Sequence, residues 1–406
     1  MQLGTTTHTK DRMKTQTNDP KLARPARAAT YALIAALLAC SPVAQSQSTT
    51  ASPSSLPSFV NCSAATKEPE PTDLREAAVG DLFFSENSQI NRSAFNDFLP
   101  QLTQADLTLG NLEGPITTHP TSRKPYVPGR SYSFRFPLDT VDVLKKANFH
   151  VLSIANNHAN DYGPIGFADT ARHLSAAGLE STGLKGSYLI RSLKGLKVGV
   201  IGLAHYPVYN NVLEIEATTR LVAEVRSKSD LVVLFYQLGG EGDRHALLGN
   251  DDVVFLGEQR GNARKFAAAM VKAGAGALIG HGPHLVRAAE CIAGVPVLHS
   301  IGNFVSTGGL SINSLANVTV FTELLFDASG QFKAVRLTPA TFDKSRLPMI
   351  DASGRALHLI NWFNRQASKT LPGFEPLNMP AEPAQEEVFR KWLRSTPFGA
   401  QLSNAD

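Results

Sequence analysis

Short apolar runs alternate with amphipathic segments along most of this chain, and that alternation is the strictest limit on what it can fold into. Residues 77–79, 107–109, 151–154, 198–203, 231–235, 277–279 and 295–300 have the length and apolar content of buried strands. Between them, 93–102, 140–147, 165–177 and 263–273 carry apolar residues at helical spacing. Strand and helix in this rhythm predict an α/β protein in which helices cover sheet faces. Open α/β sheets place their sites beyond the carboxyl ends of strands. The chain concentrates its chemistry-bearing residues there.

Asp81 ends Val79-Gly80-Asp81, and Glu113 lies in Gly110-Asn111-Leu112-Glu113-Gly114. Asn157 and His158 follow the run 151–154, and His281 and His284 follow 277–279 in Gly280-His281-Gly282-Pro283-His284. Each motif alone also suits a turn, because Gly, Asn and Asp are common turn residues. In this order they form the donor set of a site for two divalent cations, with an imidazole left over for catalysis. Carboxylate, amide and imidazole donors together favour Mn, Fe or Zn over Ca. Asn111 could orient Glu113 or meet substrate, and His205 is a further strand-end candidate. Gly183, Arg130 and Arg135 could serve a pocket for an anionic substrate, since guanidinium suits phosphate and carboxylate.

The flanks differ in character. Lys10, Arg12, Lys14, Lys21, Arg24 and Arg27 precede a small-residue apolar run at 28–39, which is too short to span a bilayer. Leu37-Leu38-Ala39-Cys40 resembles a bacterial lipobox, and Ala44 or Ser46 offers ordinary cleavage. Residues 1–46 therefore read as an export signal, with lipidation at Cys40 as one outcome, and 47–74 as a Ser/Pro-rich tether. The formal charge of +4 sits largely in that leader, so the body gives nucleic acid little to bind. Cys62 and Cys291 are the remaining cysteines, and export would permit them to pair. Late in the chain, 318–326 and 331–337 predict a hairpin across Asp327-Ala328-Ser329-Gly330, giving a β-rich C-terminal extension. Residues 346–406 read as helix and loop, with helices at 356–367 and 386–393.

Asn111-Leu112-Glu113-Gly114-Pro115-Ile116-Thr117, Tyr132-Ser133-Phe134-Arg135 and Ala155-Asn156-Asn157-His158-Ala159-Asn160-Asp161-Tyr162-Gly163 resemble the bacterial capsule and poly-γ-glutamate synthesis family typified by CapA. Gly280-His281-Gly282-Pro283-His284 and Ser300-Ile301-Gly302-Asn303-Phe304-Val305 extend that resemblance, which covers roughly 77–339. It implies a four-layer α/β/β/α sandwich of the metallophosphatase type over 75–345. It also implies a cell-surface role with an anionic polymer and membrane capsule-synthesis proteins. By the same resemblance Asp81, Glu113, Asn157, His281 and His284 would be metal ligands and His158 the catalytic imidazole. Two departures stand out. Asp81-Leu82-Phe83 lacks the Asp-x-His of metallophosphatases, a lack the capsule family shares, and Gln237 stands where relatives carry the histidine of His-Trp-Gly. A weakened ligand at Gln237 leaves two functional readings open: a surface metallohydrolase, or a polymer-binding assembly protein.

Overall fold

The computed structural model describes residues 56–402, apart from 126 and 128–130. The leader, Cys40 and Arg130 lie outside the described residues.

The larger sheet has ten strands: β1 (Phe59–Val60), β2 (Thr66–Lys67), β3 (Leu74–Phe83), β4 (Leu107–Leu112), β5 (Val151–Ser153), β6 (Glu180–Thr182), β15 (Asn303–Ser306), β16 (Val318–Phe326), β17 (Phe332–Phe342) and β18 (Pro348–Ile350). Its order is β2-β1-β17-β16-β3-β4-β5-β6, with β15 beside β3 and β18 beside β17. The second sheet has six: β7 (Leu189–Leu193), β8 (Leu196–Leu203), β9 (Leu231–Gln237), β12 (Ala277–His281), β13 (Ala289–Ile292) and β14 (Val295–Leu298), in the order β13-β14-β12-β9-β8-β7. A separate hairpin joins β10 (Val253–Phe255) to β11 (Glu258–Gly261).

Three large cores fill this framework, beside a small cluster of Phe59, Leu325 and Ala334. Ala78, Leu109, Val151, Val320 and Leu337 of the larger sheet meet Val200, Val233, Phe235 and Ile279 of the second. The other face of the larger sheet packs Ala77, Val79 and Leu152 against α1 (Ser88–Asn91), α2 (Leu99–Gln104), α3 (Thr140–Lys146) and α4 (Gly163–Ala176), through Ile90, Leu102, Leu144 and Leu174. The outer face of the second sheet packs Ile201, Leu234 and Leu278 against α5 (Ile215–Arg226) and α6 (Ala263–Lys272). The layers therefore run α/β/β/α, as the family resemblance implies.

The strands β3, β4, β5 and β6 are parallel, as are β8, β9, β12 and β14. Helices carry the chain back from β3 through to β6 and from β8 through to β12, whereas β12 reaches β14 by way of the antiparallel β13. The sequence reading placed no helix where α5 lies. Its apolar stripe is Val222 and Val225, which are buried, with Ile215 and Leu221 packed against the same core.

The β-rich C-terminal run is part of the sandwich itself: β16 pairs with β3 along one edge and β17 along the other. After it, α7 (Arg355–Thr370), α8 (Glu386–Ser395) and α9 (Pro397–Leu402) add Leu359, Phe363, Phe389 and Phe398 to the core between the sheets. Residues 56–74, read from sequence as tether, add β1 and β2 to the margin of the larger sheet, because Phe59 and Val60 find buried positions there. Cys62 is disulfide-bonded to Cys291 of β13, fastening that margin to the edge strand of the second sheet.

Glu76 is an exception inside this core. It lies on β3 opposite Leu107 and Leu324, is fully buried, and has no partner for either carboxyl oxygen among the described residues. Glu323 of β16 is equally buried but receives two bonds from Arg336, at 2.7 and 2.8 Å. Burial pushes the Glu76 carboxyl up to about 8, so it sits neutral in the native state at neutral pH. The unfolded chain loses that proton near pH 4.5, so native stability should fall as pH rises from about 4.5 to about 8. Glu76→Met should flatten that slope and raise stability at pH 8 by about 3–4 kcal/mol. Denaturant titrations across this range check it, and an unchanged slope in the variant would reject a neutral buried Glu76.

Candidate metal centre

Asp81 reaches the site through a distortion of β3. The pairing of β3 with β4 shifts register between Val79 and Asp81, a bulge that re-aims the carboxylate. Gly80 is required at that point, because a side chain there would overlap the Gly302 carbonyl oxygen. Both Asp81 oxygens are engaged. Oδ1 accepts from Asn111 Nδ2 at 2.8 Å and lies 3.0 Å from His281 Nδ1. Oδ2 lies 2.9 Å from His284 Nδ1 and accepts from the Gly282 amide at 3.3 Å.

Asn111, near the end of β4, organises the carboxylates. Its Nδ2 also donates to Glu113 Oε2, and its Oδ1 accepts from Asn156 Nδ2 at 2.9 Å. Asn156 in turn shapes the turn after β5: its Nδ2 donates to the Leu112 carbonyl, and its Oδ1 accepts from the His158 and Ala159 amides at 2.9 and 2.7 Å. Asn111 is completely buried, with its amide bonded to both carboxylates and to Asn156.

Asp81, Glu113 and His281 each bring one ligand atom into a group lying within 4.8 Å of one another. Glu113 Oε1, His281 Nε2 and Gln237 Oε1 are buried and have no partner among the described residues. Orphaned acceptors in a buried carboxylate–imidazole cluster are what a divalent cation would satisfy, so Asp81, Glu113 and His281 fit a metal. His281 is held for that task, its ring stacked on Phe235 at 4.9 Å and its Nδ1 on Asp81. His284 does not join this group. Its Nδ1 is shared between Asp81 and Asn303 Oδ1, at 2.9 Å each, and its Nε2 stands 3.9 Å from Glu241.

The electrostatics follow from this crowding. Burial alone would raise the Asp81 carboxyl, but hydrogen bonds from His281 and His284 hold it well below the usual carboxylate range. Glu113 is pushed up to about 8, first by burial and then by the Asp81 charge. Burial works against a charged His284, yet its bond to Asp81 and the surrounding carboxylates raise it to about 10.

His158 stands apart from the donor group. Its Nδ1 lies 2.7 Å from Asp161 Oδ2, its ring stacks on Phe134 at 3.7 Å, and burial lowers its pKa. Lys124 Nζ is 3.1 Å from both His158 Nδ1 and Asp161 Oδ1. His158, Asn157, Lys124, Tyr132, Tyr206 and Glu241 line a cleft of about 650 Å³, with Arg260 and Glu258 on its wall.

The structure thus brings together Asp81, Glu113, His281, His284 and Asn111, with Gln237 and Asn157 beside them and His158 in the adjoining cleft. Arg135 is not among the cleft residues. Its guanidinium is engaged by Glu86 at 3.0 Å and the His119 carbonyl at 3.2 Å. His205 is almost fully buried, 3.4 Å from Glu258 and against Tyr206, behind the cleft wall. Gly183 packs its backbone on Ala155. Sequence reasoning assigned no role to Asp161, Asn156, Lys124, Glu241 or Asn303. Asp161, Asn156 and Asn303 do lie inside the motifs quoted above, and only their three-dimensional partners reveal what they hold.

A four-layer α/β sandwich with a buried carboxylate–imidazole cluster where its strands end defines a candidate metalloprotein class. The particular family follows from comparison. Residues 75–308 match the family described as "Bacterial capsule synthesis protein PGA_cap", and the chain belongs to that family. It is 26% identical over 277 residues to "PGA biosynthesis protein CapA" of Bacillus subtilis (strain 168), covering 63% of this chain and 68% of that protein. It is 28% identical over 268 residues to "Capsule biosynthesis protein CapA" of Bacillus anthracis, covering 61% of this chain and 63% of that one. Among solved structures, a 5'-nucleotidase precursor from Thermus thermophilus overlaps 73% of this chain and 59% of its own, with a TM-score of 0.41 and 14% identity.

Asn156 offers a direct test of the site's framework. Asn156→Ala would strand the Asn111 carbonyl oxygen and two backbone amides in the interior. Such losses cost about 1–3 kcal/mol for each unsatisfied group, so with three groups stranded the variant should be less stable by about 3 kcal/mol or more and unfold at clearly lower denaturant. A midpoint equal to that of the natural protein would show that the turn does not depend on this side chain.

Proposed function

We propose that this protein is an exported, metal-dependent hydrolase acting on an anionic cell-surface polymer, at a phosphoester or a γ-glutamyl bond. The observation that carries this reading is His158, a buried imidazole fixed at Nδ1 by Asp161 in a cleft beside the donor cluster. An imidazole so held has one free nitrogen, Nε2, to move a proton to or from a substrate in the cleft. Asp81, Glu113 and His281 would hold the cation, with the amide oxygens of Asn157 and Gln237 next to them. A bound Mn, Fe or Zn ion would supply Lewis acidity, polarising a substrate oxygen and offsetting negative charge as it develops. Asn111 keeps both carboxylates in place, and Asp161, at 2.7 Å from His158 Nδ1, would hold the proton there and leave Nε2 to exchange one with substrate.

Family membership supports the polymer, and the relatives' printed names refer to PGA and capsule biosynthesis. The basic, apolar leader and the Cys62–Cys291 disulfide support export, because disulfides persist in oxidising compartments. Membrane capsule-synthesis proteins are the partners this setting suggests, with or without a lipid on Cys40.

One observation favours a second reading, an accessory protein that binds polymer without cleaving it. Gln237 puts an amide, and not an imidazole, beside His281, and a weaker donor there would leave the site underpowered. Two Mycobacterium tuberculosis relatives carry the printed name "Probable polyglutamine synthesis accessory protein". The purified protein, loaded with Mn²⁺ or Zn²⁺, should release product from a phosphodiester or γ-glutamyl oligomer panel and lose that activity with chelator. His158→Ala should lower the rate about 10²–10⁴-fold while metal content stays the same. Metal-loaded protein inactive on the whole panel, yet retaining polymer, would establish the accessory reading instead. Cell fractionation tests export, and a protein confined to the cytoplasm would refute it.

A further inference from the structure

Two kinds of donor stand side by side at the ends of β9 and β12, where Gln237 pairs with His281. On one side, Asp81, Glu113 and His281 converge, with Glu113 Oε1 and His281 Nε2 buried and unpartnered. On the other, Gln237 and Asn157 are bonded to each other: Gln237 Nε2 donates to Asn157 Oδ1 at 2.9 Å. Gln237 is only 1% exposed, and its stem is seated on the loop after β12. Gly282, at φ +96°, makes that seat, since a side chain there would collide with Gln237 Cγ.

The chemistry of the two sides is unequal. Two carboxylates and an imidazole bind a borderline divalent cation strongly. The amide pair offers only neutral oxygens: Asn157 Oδ1 already accepts a hydrogen bond, and Gln237 Oε1, though without a partner among the described residues, carries no charge to hold an ion by itself. It also turns an NH₂ group, whose hydrogens carry positive charge, toward the space between the two side chains. The donor types in the sequence suggest two ions. The arrangement points elsewhere. We propose that the chain holds a single divalent ion, at Asp81, Glu113 and His281, and that the Gln237–Asn157 amide pair closes the neighbouring position to a second. The proposal rests on the metal reading above and narrows it: substrate would meet one cation and the His158 imidazole, without a second cation to share its oxygens.

Metal stoichiometry tests this without any substrate. Full-length protein is stripped with chelator, titrated with Mn²⁺ or Zn²⁺ by calorimetry, then desalted and analysed for bound metal. One ion per chain is expected, and Glu113→Gln should weaken its binding at least tenfold. Gln237→Glu keeps the shape of the side chain but exchanges the NH₂ for a carboxylate oxygen, and Gln237→His supplies an imidazole. With circular dichroism confirming the fold, at least one of these variants should take up a second ion. Two ions in the natural protein would overturn the proposal while leaving the metal reading intact. No ion at all would overturn both. One ion in the natural chain and in both folded variants would show that something other than the amide pair closes the second position.

Discussion

The hydrogen bond between Asp81 and His281 joins residues that belong to different sheets and lie 200 positions apart in the chain, at 3.0 Å and without solvent exposure. The site depends on the sandwich bringing the ends of β3 and β12 together. Three features secure that meeting. The bulge at Gly80 turns Asp81 toward the second sheet, and the Asp81 amide donates to the Gly302 carbonyl at 3.1 Å. Stacking on Phe235 fixes the His281 ring, and His284 reaches Asp81 from the following loop in a left-handed conformation (φ +64°). A left-handed histidine costs of order 1 kcal/mol, which its bonds to Asp81 and Asn303 offset.

Burying this much charge is tolerable because both Asp81 oxygens and one Glu113 oxygen are paired, leaving only a few atoms for a cation to satisfy. Asp81 is ionised by its two histidines, Glu113 is left largely neutral beside it, and the Asn111–Asn156 pair satisfies most of the remaining polar atoms. The cleft wall balances in the same way: Lys124 faces Asp161, and Arg260 faces Glu241 and Glu258. Opposed charges along the wall add little net attraction for an anion. A polyanionic substrate would owe its binding mostly to the cluster itself and whatever cation it holds. Arg287 is buried nearby and donates to the Gly240 carbonyl at 3.1 Å, so a buried cation anchors the loop that carries Glu241.

Much of this was legible in the order of residues. Apolar runs followed by Asp81, Glu113, Asn157-His158 and His281 are a local pattern, because a strand and the polar residues at its end are neighbours in sequence. The helices at 140–147 and 263–273 were visible for the same reason, and they match α3 and α6 closely. Less legible was anything set by pairing across the fold. The hairpin of β16 and β17 could be read from its turn, but its place beside β3 could not, since strand order depends on which edges meet. Residue type marks Arg135 as suited to anions, but its contacts with Glu86 and the His119 carbonyl are set by the fold and could not be read from sequence.

By itself, then, the sequence determined the α/β layering, the strand-end position of the chemical groups and the family, because each is written in short stretches of chain. Tertiary structure alone decided how those groups divide their work. It made Asn111 a brace between carboxylates, set His284 outside the close donor group, and gave His158 its partner in Asp161. It also bonded Gln237 to Asn157. These assignments rest on distances of about 3 Å between residues far apart in the chain, and on which buried atoms are left without a partner. Residue type gives the capacity to bind or donate. Only the packed interior fixes which atom is free to use it.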